Sequence, residues 1–104
     1  MMKRPMSDRV YTIDEIKDIV CPIAERYGAA EVLLFGSYAK KKAKPSSDID
    51  LFVEKGSMRS ILEISGLRLD LTEALGKDVD VITANRRSDA DHLLEDHVMI
   101  YARG

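Results

Sequence analysis

The sequence contains a single cysteine, Cys21, so no internal disulfide can form, and a reducing cytoplasm is the expected location. It has no run of about 18 apolar residues, which argues against a membrane-spanning helix. The basic N-terminus is not followed by an apolar stretch and does not resemble a secretory signal. The formal net charge of only −2 provides no general attraction to nucleic acid or to an acidic membrane. These absences predict a cytoplasmic protein with neither a membrane nor a nucleic acid as a direct partner.

The composition is that of a folded domain. The 104 residues are 45% hydrophobic and 33% charged, which is typical of globular chains. This length suits one hydrophobic core, and no linker, repeat or low-complexity segment interrupts it. We therefore expect a single domain over residues 1–104, in which residues 1–10 form a flexible N-terminus.

Helical and strand patterns alternate along the chain. Thr12 and Glu15 have the spacing of a capping box and predict a helix that ends near Gly28, with Pro22 expected to kink or divide it. Ser57 is expected to open a second long helix that ends at Gly76, with a bend or break at Gly66. The remaining elements are strands at 31–35, 48–54 and 78–83, helical turns at 37–42, a loop at 43–47, a last helix from residue 88 or 89 to 96, and an apolar tail at 98–101. The pattern predicts an α/β (α+β) domain with a small sheet flanked by helices.

Two aspartates in the second strand carry the first chemical signal. In a strand, residues two apart point to the same face, so Asp48 and Asp50 would present their carboxylates together. Adjacent carboxylates repel unless a cation lies between them, and hard oxygen ligands suit Mg²⁺ or Mn²⁺. Asp80 on the third strand would complete a set of three, and such a set can hold two ions for phosphoryl chemistry. Asp78 lies on the same face of that strand and is the alternative third ligand.

A turn after the first strand carries the second signal. Gly36 and Ser37 follow an apolar strand and open a short helix, where backbone N–H groups favour a phosphate. Gly36 allows close approach of the backbone, and the Ser37 hydroxyl can donate a hydrogen bond. Lysines at positions 40, 41, 42 and 44 follow directly. The alternatives are a plain turn, a solvated lysine loop and an edge strand whose aspartates only face water.

Together these residues resemble a known family. Gly36-Ser37, ten residues, then Asp48-Ile49-Asp50 is similar to the GS-x10-D-x-D signature of the DNA polymerase β-like nucleotidyltransferase superfamily. The flanking segments LLFGSYA, SDIDLFVE and VDVIT agree with it, and the match covers roughly residues 29–83. The short chain resembles in particular the minimal nucleotidyltransferase (MNT) domains of bacteria and archaea. This resemblance implies the minimal nucleotidyltransferase fold, with a mixed, mainly antiparallel sheet.

The resemblance also implies roles for individual residues. Asp48, Asp50 and Asp80 would be the catalytic residues and would bind two Mg²⁺ or Mn²⁺ ions, with Asp80 the candidate base. Gly36, Ser37 and Lys40 would bind the triphosphate of ATP. Many relatives have Ala-Arg-Gly where this chain has Ala39-Lys40-Lys41. Lys40 keeps the positive charge but lacks the guanidinium fork that binds phosphate through two hydrogen bonds.

Finally, the resemblance implies a partner. Minimal domains of this kind are often antitoxins of HEPN-domain ribonuclease toxins, onto whose tyrosine they transfer AMP from ATP. The short chain has no second substrate-holding domain, which favours an acceptor that is itself a protein. Two alternatives are an antitoxin that neutralises by binding alone and a small-molecule nucleotidyltransferase completed by homodimerisation.

Overall fold

The computed structural model describes residues 9–86 and 96–103. Its elements, in chain order, are α1 (Ile13–Tyr27), β1 (Glu31–Phe35), α2 (Gly36–Ala39), β2 (Ile49–Glu54), α3 (Ile61–Leu75), β3 (Val79–Ala84) and β4 (Val98–Ala102). Most of the expected flexible N-terminus falls outside the described residues. The last helix, expected within 88–96, also falls outside them except for Asp96, which lies in a turn. Among the described helices, none combines the length and the hydropathy that crossing a bilayer requires.

Helix α1 begins and ends where the sequence predicts. Thr12 accepts a hydrogen bond from the Glu15 N–H, the Glu15 carboxylate accepts one from the Thr12 N–H, and Gly28 ends the helix in a left-handed conformation. The expected division at Pro22 is wrong, because the helix is continuous from Ile13 to Tyr27. Pro22 is exposed, so water can satisfy the carbonyl group that its missing N–H leaves without a partner.

Helix α3 begins later than the sequence suggested. Ser60, rather than Ser57, is the N-cap, and it forms a second capping box with Glu63. The helix does not break at Gly66, where a Cβ would lie 3.0 Å from the Tyr27 hydroxyl oxygen of α1. Glycine at this position therefore permits the close packing of α3 against α1.

The sheet is mixed, as expected, and has the order β3-β2-β1-β4. Strand β1 is antiparallel to both β2 and β4, whereas β2 and β3 are parallel. The apolar tail forms the edge strand β4, and its pairing with β1 is interrupted by a shift of register between Val32 and Leu33. The interpretation of the sequence as an α/β domain with a mainly antiparallel sheet is confirmed.

The two faces of the sheet have different environments. One face packs against α1 and α3 through a large apolar cluster that includes Ile49, Leu51 and Val53 of β2. Phe52 points the other way and forms a smaller cluster with Leu33. Because side chains alternate along a strand, Asp50 shares the face of Phe52, away from the helical layer. The fold therefore places the acidic residues of β2 and β3 on the face opposite α1 and α3.

Candidate active site

Asp50 and Asp80 lie side by side in the sheet. Parallel pairing of β2 with β3 aligns Asp50 with Asp80, and antiparallel pairing of β1 with β2 aligns Asp50 with Phe35. Phe35 is the last residue of β1 and directly precedes Gly36, the first residue of α2. Asp50 is thus placed between the start of α2 and the Asp80 carboxylate. The register brings together three parts of the motif that are up to 44 residues apart in sequence.

Asp48 and Asp78 hold more peripheral positions. The expected strand 48–54 begins one residue later, so Asp48 precedes β2, and its side chain is exposed. Asp78 precedes β3, is also exposed, and accepts a hydrogen bond from the Ile49 N–H through its backbone carbonyl, 3.0 Å away. Of the two candidates on the third strand, the register places Asp80 beside Asp50.

The three carboxylates interact electrostatically at Asp50. Burial raises the pKa of Asp50 from its ordinary value of 3.8 to about 6, with the negative charges of Asp80 and Asp48 and a hydrogen bond with Asp80 adding to the shift. A raised pKa means that the folded protein resists ionisation of this carboxyl group. The cluster is therefore an anionic site that a bound cation would stabilise.

This shift predicts a pH-dependent effect of Asp50→Asn on stability. Because the folded-state pKa is raised, the favourable contribution of protonated Asp50 is present below about pH 4 and is lost as the pH rises through about 6. Asp50→Asn should therefore stabilise the metal-free protein at about pH 7.5 more than at about pH 4. Urea unfolding at both pH values measures this difference. Asp78→Asn is the control, and an Asp50→Asn effect that is equal at both pH values would contradict the prediction.

Gly36 is fitted to the Asp50 carboxylate. Its φ of +70° is in the left-handed region, and a Cβ built there would lie 2.2 Å from Asp50 Oδ2 and 3.1 Å from its Cγ. No larger residue could occupy this position without moving that carboxylate. Gly36 therefore both turns the chain into α2 and leaves room for the acidic cluster.

The phosphate-binding candidates lie on α2, which is shorter than the helical turns expected over 37–42. Ser37 is half-buried in the first turn, and the exposed Lys40 ends the helix. Tyr38 is only 3% exposed and packs into the apolar cluster beneath the sheet, as expected of a packing residue. The structure thus places Ser37 next to Gly36 at the start of α2 and Lys40 one turn further along.

Lys41 occupies the position where many relatives have glycine. Its φ of +59° lies in the left-handed region although the residue is lysine. A non-glycine residue in this conformation costs about 1–2 kcal/mol. Lysine at this position therefore adds strain that glycine would not.

We expect Lys41→Gly to be more stable than Lys41→Ala by about 1 kcal/mol, since both remove the charge but only glycine relieves the strain. Chemical denaturation of the two variants measures the difference. Equal free energies of unfolding would show that the left-handed conformation at residue 41 carries no strain.

Lys77 is a residue that the sequence analysis missed. It is only 3% exposed, and its Nζ donates a hydrogen bond to the carbonyl oxygen of Pro45, 2.8 Å away. This bond ties the loop before β2 to the segment before β3. The sequence gives no signal for it, because a lysine after a helix-ending glycine ordinarily faces solvent.

The donor set fits a magnesium ion that is shared with a substrate. Asp48, Asp50 and Asp80 offer carboxylate oxygens, which Mg²⁺ prefers, and burial together with the charges of Asp80 and Asp48 raises the pKa of Asp50. Within residues 9–86 and 96–103, however, no three acidic, histidine or cysteine side chains already have the arrangement of a complete metal site. Magnesium commonly takes only one or two carboxylates and completes its shell with water and substrate phosphates, so this incomplete set fits a metal–nucleotide complex.

A cleft of about 520 Å³ lies elsewhere, beside the start of α1. It is lined by residues 10–14 together with Tyr38, Lys41 and Ala43, and its surface is mainly apolar. None of the three carboxylates borders it. Asp48 and Asp80 are instead exposed, so the acidic cluster is open to a large partner.

Sequence comparison shows the family. Residues 17–103 match the family Polymerase beta, Nucleotidyltransferase. A provisionally assigned protein adenylyltransferase of Methanocaldococcus jannaschii is 45% identical over 73 residues, which are 70% of this chain and 78% of that protein. The protein adenylyltransferase MntA of Thermococcus cleftensis is 35% identical over 75 residues, which are 68% of this chain and 76% of MntA.

Solved structures show the same fold. A provisionally assigned minimal nucleotidyltransferase is 35% identical, with a TM-score of 0.61, over 69% of this chain and 74% of that chain. A toxin–antitoxin structure with AMP-PNP has a TM-score of 0.69 at 19% identity, over 84% of this chain and 73% of that one. A complex of tri-AMPylated Shewanella oneidensis HEPN toxin with its MNT antitoxin has a TM-score of 0.64 at 18% identity, over 88% and 73%.

The family match and the geometry agree on the same part of the molecule. The matched residues include the whole segment from Gly36 to Asp80, in which the sheet register aligns Asp50 with Asp80. This chain covers 78% and 76% of the two sequence relatives described above, so the match spans most of each. The chain therefore belongs to the polymerase beta nucleotidyltransferase family and is a nucleotidyltransferase of the minimal type.

Proposed function

We propose that this protein is a Mg²⁺-dependent adenylyltransferase that moves AMP from ATP onto a tyrosine hydroxyl of a HEPN toxin and thereby acts as its antitoxin. The observation that carries the proposal is the alignment of Asp50 with Asp80 on one sheet face, against Gly36 at the start of α2. This arrangement puts a carboxylate cluster next to a turn that can receive phosphate groups.

The acidic residues would hold the metal. Asp50 and Asp80 would contribute carboxylate oxygens from neighbouring strands, and the exposed Asp48 would join them at the beginning of β2. When bound, Mg²⁺ (or Mn²⁺) neutralises negative charge on the phosphates as the bond to the leaving group breaks. Because the pKa of Asp50 is about 6 in the metal-free protein, Mg²⁺ binding would displace its proton at and below about pH 6.

The start of α2 would hold the triphosphate. The first N–H groups of a helix have no acceptor within the helix, so those after Gly36 can donate to phosphate oxygens. The Ser37 hydroxyl can add a further hydrogen bond, and the exposed Lys40 can contribute a point charge. Gly36 leaves the space that lets the triphosphate approach both the backbone and Asp50.

The reaction is a displacement at the α-phosphorus of ATP. The acceptor hydroxyl oxygen forms a bond to this phosphorus while the bond to the bridging oxygen of the β-phosphate breaks, and pyrophosphate leaves. Asp80 is exposed and would accept the hydroxyl proton. Asp50 is the less suitable base, because it is partly buried between α2 and β3.

Two observations support a protein as the acceptor: the names of the sequence relatives, and the exposure of Asp48 and Asp80. The sequence relatives are named as protein adenylyltransferases, and one solved neighbour is described with a tri-AMPylated HEPN toxin. As part of the proposal, we expect this protein to attach more than one AMP unit to its partner, as in the tri-AMPylated toxin of that neighbour.

Intact-mass spectrometry of the cognate HEPN protein tests the function. After incubation with this protein, ATP and Mg²⁺, the HEPN protein should gain mass in steps of one AMP unit. The Asp48→Ala/Asp50→Ala double variant should add none. A HEPN protein that gains no mass, yet is neutralised equally by both forms, would contradict the proposal and favour an antitoxin that acts by binding alone.

A further inference from the structure

The loop between α2 and β2 carries positive charges that the proposed triphosphate site, which uses Lys40, leaves unassigned. Lys40, Lys41, Lys42 and Lys44 are all exposed. The ion pairs between Arg9 and Glu15 and between Arg26 and Asp70 do not involve this loop. The positive charge is local, because the whole chain has a net charge of −2. The loop therefore offers four exposed ammonium groups within five residues of sequence, in the segment that leads from α2 to Asp48.

Hydrogen bonds hold this loop in place. The Lys42 N–H donates to the Ser37 carbonyl, 2.9 Å away, and the Lys44 N–H donates to the Ser47 hydroxyl, 2.8 Å away. At its far end, the buried Lys77 donates to the Pro45 carbonyl. The backbone is thus fixed to α2 on one side and to the segment before β3 on the other. The lysine side chains extend from a defined path and do not belong to a free tail.

The loop that carries these charges connects the two parts of the candidate site, α2 and the start of β2. The loop ends at Asp48, and the Lys77 bond joins it to the segment that leads into Asp80. An acceptor hydroxyl must reach the α-phosphorus over Asp50 and Asp80. Any nucleotide already attached to the acceptor then has to lie over a neighbouring surface, and the loop is such a surface.

We propose that Lys42 and Lys44 form a binding site for the phosphodiester groups of AMP units that are already attached to the acceptor, so that they promote the second and later transfers. The inference rests on the proposed function. In each later step, a ribose hydroxyl of the attached AMP forms the new bond to the α-phosphorus of ATP. The bond to the bridging oxygen of the β-phosphate breaks, pyrophosphate leaves, and the hydroxyl proton is released. Each step thus adds one phosphodiester and one negative charge.

The choice of lysine supports this ligand. An arginine fork fixes one phosphate in one geometry, whereas a lysine ammonium on a flexible stem can follow a phosphate that changes position. A chain that grows by one nucleotide shifts its phosphates at every step. Several flexible point charges therefore suit it better than a single rigid contact.

The test compares two substrates and two double variants. The substrates are the unmodified HEPN protein and the same protein isolated with one AMP attached, and intact mass gives the rate of the next addition to each. Lys42→Gln/Lys44→Gln should lower the ratio of the second-addition rate to the first-addition rate by about fivefold. Lys17→Gln/Arg59→Gln removes two exposed positive charges on α1 and before α3, and it should leave this ratio unchanged. Raising the salt from about 50 mM to about 200 mM should slow the second addition of the native protein more than the first.

The other outcomes separate this inference from the proposed function. An unchanged ratio in Lys42→Gln/Lys44→Gln would overturn the inference while the function stands. An equal decrease in the rates of the first and second additions would also overturn the inference, because the loop would then contact ATP or the toxin surface. A native protein that adds only one AMP would overturn the inference alone. A native protein that adds none would overturn the proposed function as well.

Discussion

Asp50→Asn and Asp80→Asn should each lower AMP transfer on the order of a thousandfold, whereas Asp78→Asn should leave it within about threefold of the native rate. The reason is the register of β2 and β3, which aligns Asp50 with Asp80 and leaves Asp78 outside the pair. Losing one carboxylate from the pair would remove a proposed metal ligand and, at Asp80, the proposed base. Rates of AMP incorporation into the HEPN protein measure the effect.

Stability separates this loss from misfolding. Asp50→Asn should be folded and, near neutral pH, more stable than the native protein, because it removes the carboxyl group whose pKa is raised to about 6. A variant that is more stable yet inactive would indicate a functional carboxylate. If Asp78→Asn were instead the inactive variant and Asp80→Asn active, the assignment of the third acidic residue would be wrong.

Gly36→Ala should lower transfer by about a hundredfold and destabilise the protein by about 1–3 kcal/mol. Two effects combine at this position. The φ of +70° is unfavourable for alanine, and the new methyl group would meet Asp50 Oδ2 at 2.2 Å. Relief of this overlap requires the carboxylate or α2 to move, and either change disturbs the metal and phosphate positions together. Steady-state rates and thermal unfolding measure the two effects.

Gly66→Ala is the matched control for this substitution. Gly66 lies within α3, and the added Cβ would lie 3.0 Å from the Tyr27 hydroxyl oxygen, far from the carboxylates in the fold. It should change stability modestly and leave transfer unaffected. Full transfer activity in Gly36→Ala would contradict the view that close contact between Gly36 and Asp50 shapes the site.

Local sequence signals predicted the start of α1 correctly but not the start of α3. The capping box at Thr12 and Glu15 fixed the start of α1, because its two hydrogen bonds depend only on residues three apart. The predicted start of α3 was wrong, since Ser57 and Ser60 are both plausible N-caps. Only Ser60 has a glutamate three residues later with which to form the reciprocal bond.

The faces of the long helix show what local patterns cannot resolve. Leu67 and Leu71 are buried, whereas Ile61 and Leu62 are 78% and 80% exposed. Apolar residues surround α3 on several sides, so periodicity does not define which side contacts α1 and the sheet. The contact is set by tertiary packing, including the approach of Tyr27 to Gly66.

The candidate site also combines residues that local sequence signals predict with residues that only the tertiary structure brings together. The spacing of Gly36, Ser37, Asp48 and Asp50 identified a phosphate and metal motif from nearby residues. The choice between Asp78 and Asp80 required the register of two parallel strands that are separated by α3. The bond from Lys77 to Pro45 also joins distant segments and had no signal in the sequence.

The most direct measurement is Mn²⁺ binding, followed by electron paramagnetic resonance, with and without a non-hydrolysable ATP analogue. It needs no partner protein and reports on the carboxylates themselves. We expect the analogue to strengthen Mn²⁺ binding by at least about tenfold in the native protein and in Asp78→Asn, because phosphates complete the ligand set. Asp50→Asn and Asp80→Asn should lose this effect. Equal, nucleotide-dependent Mn²⁺ binding in all four proteins would contradict the assignment of the Asp50–Asp80 pair as the metal–nucleotide site.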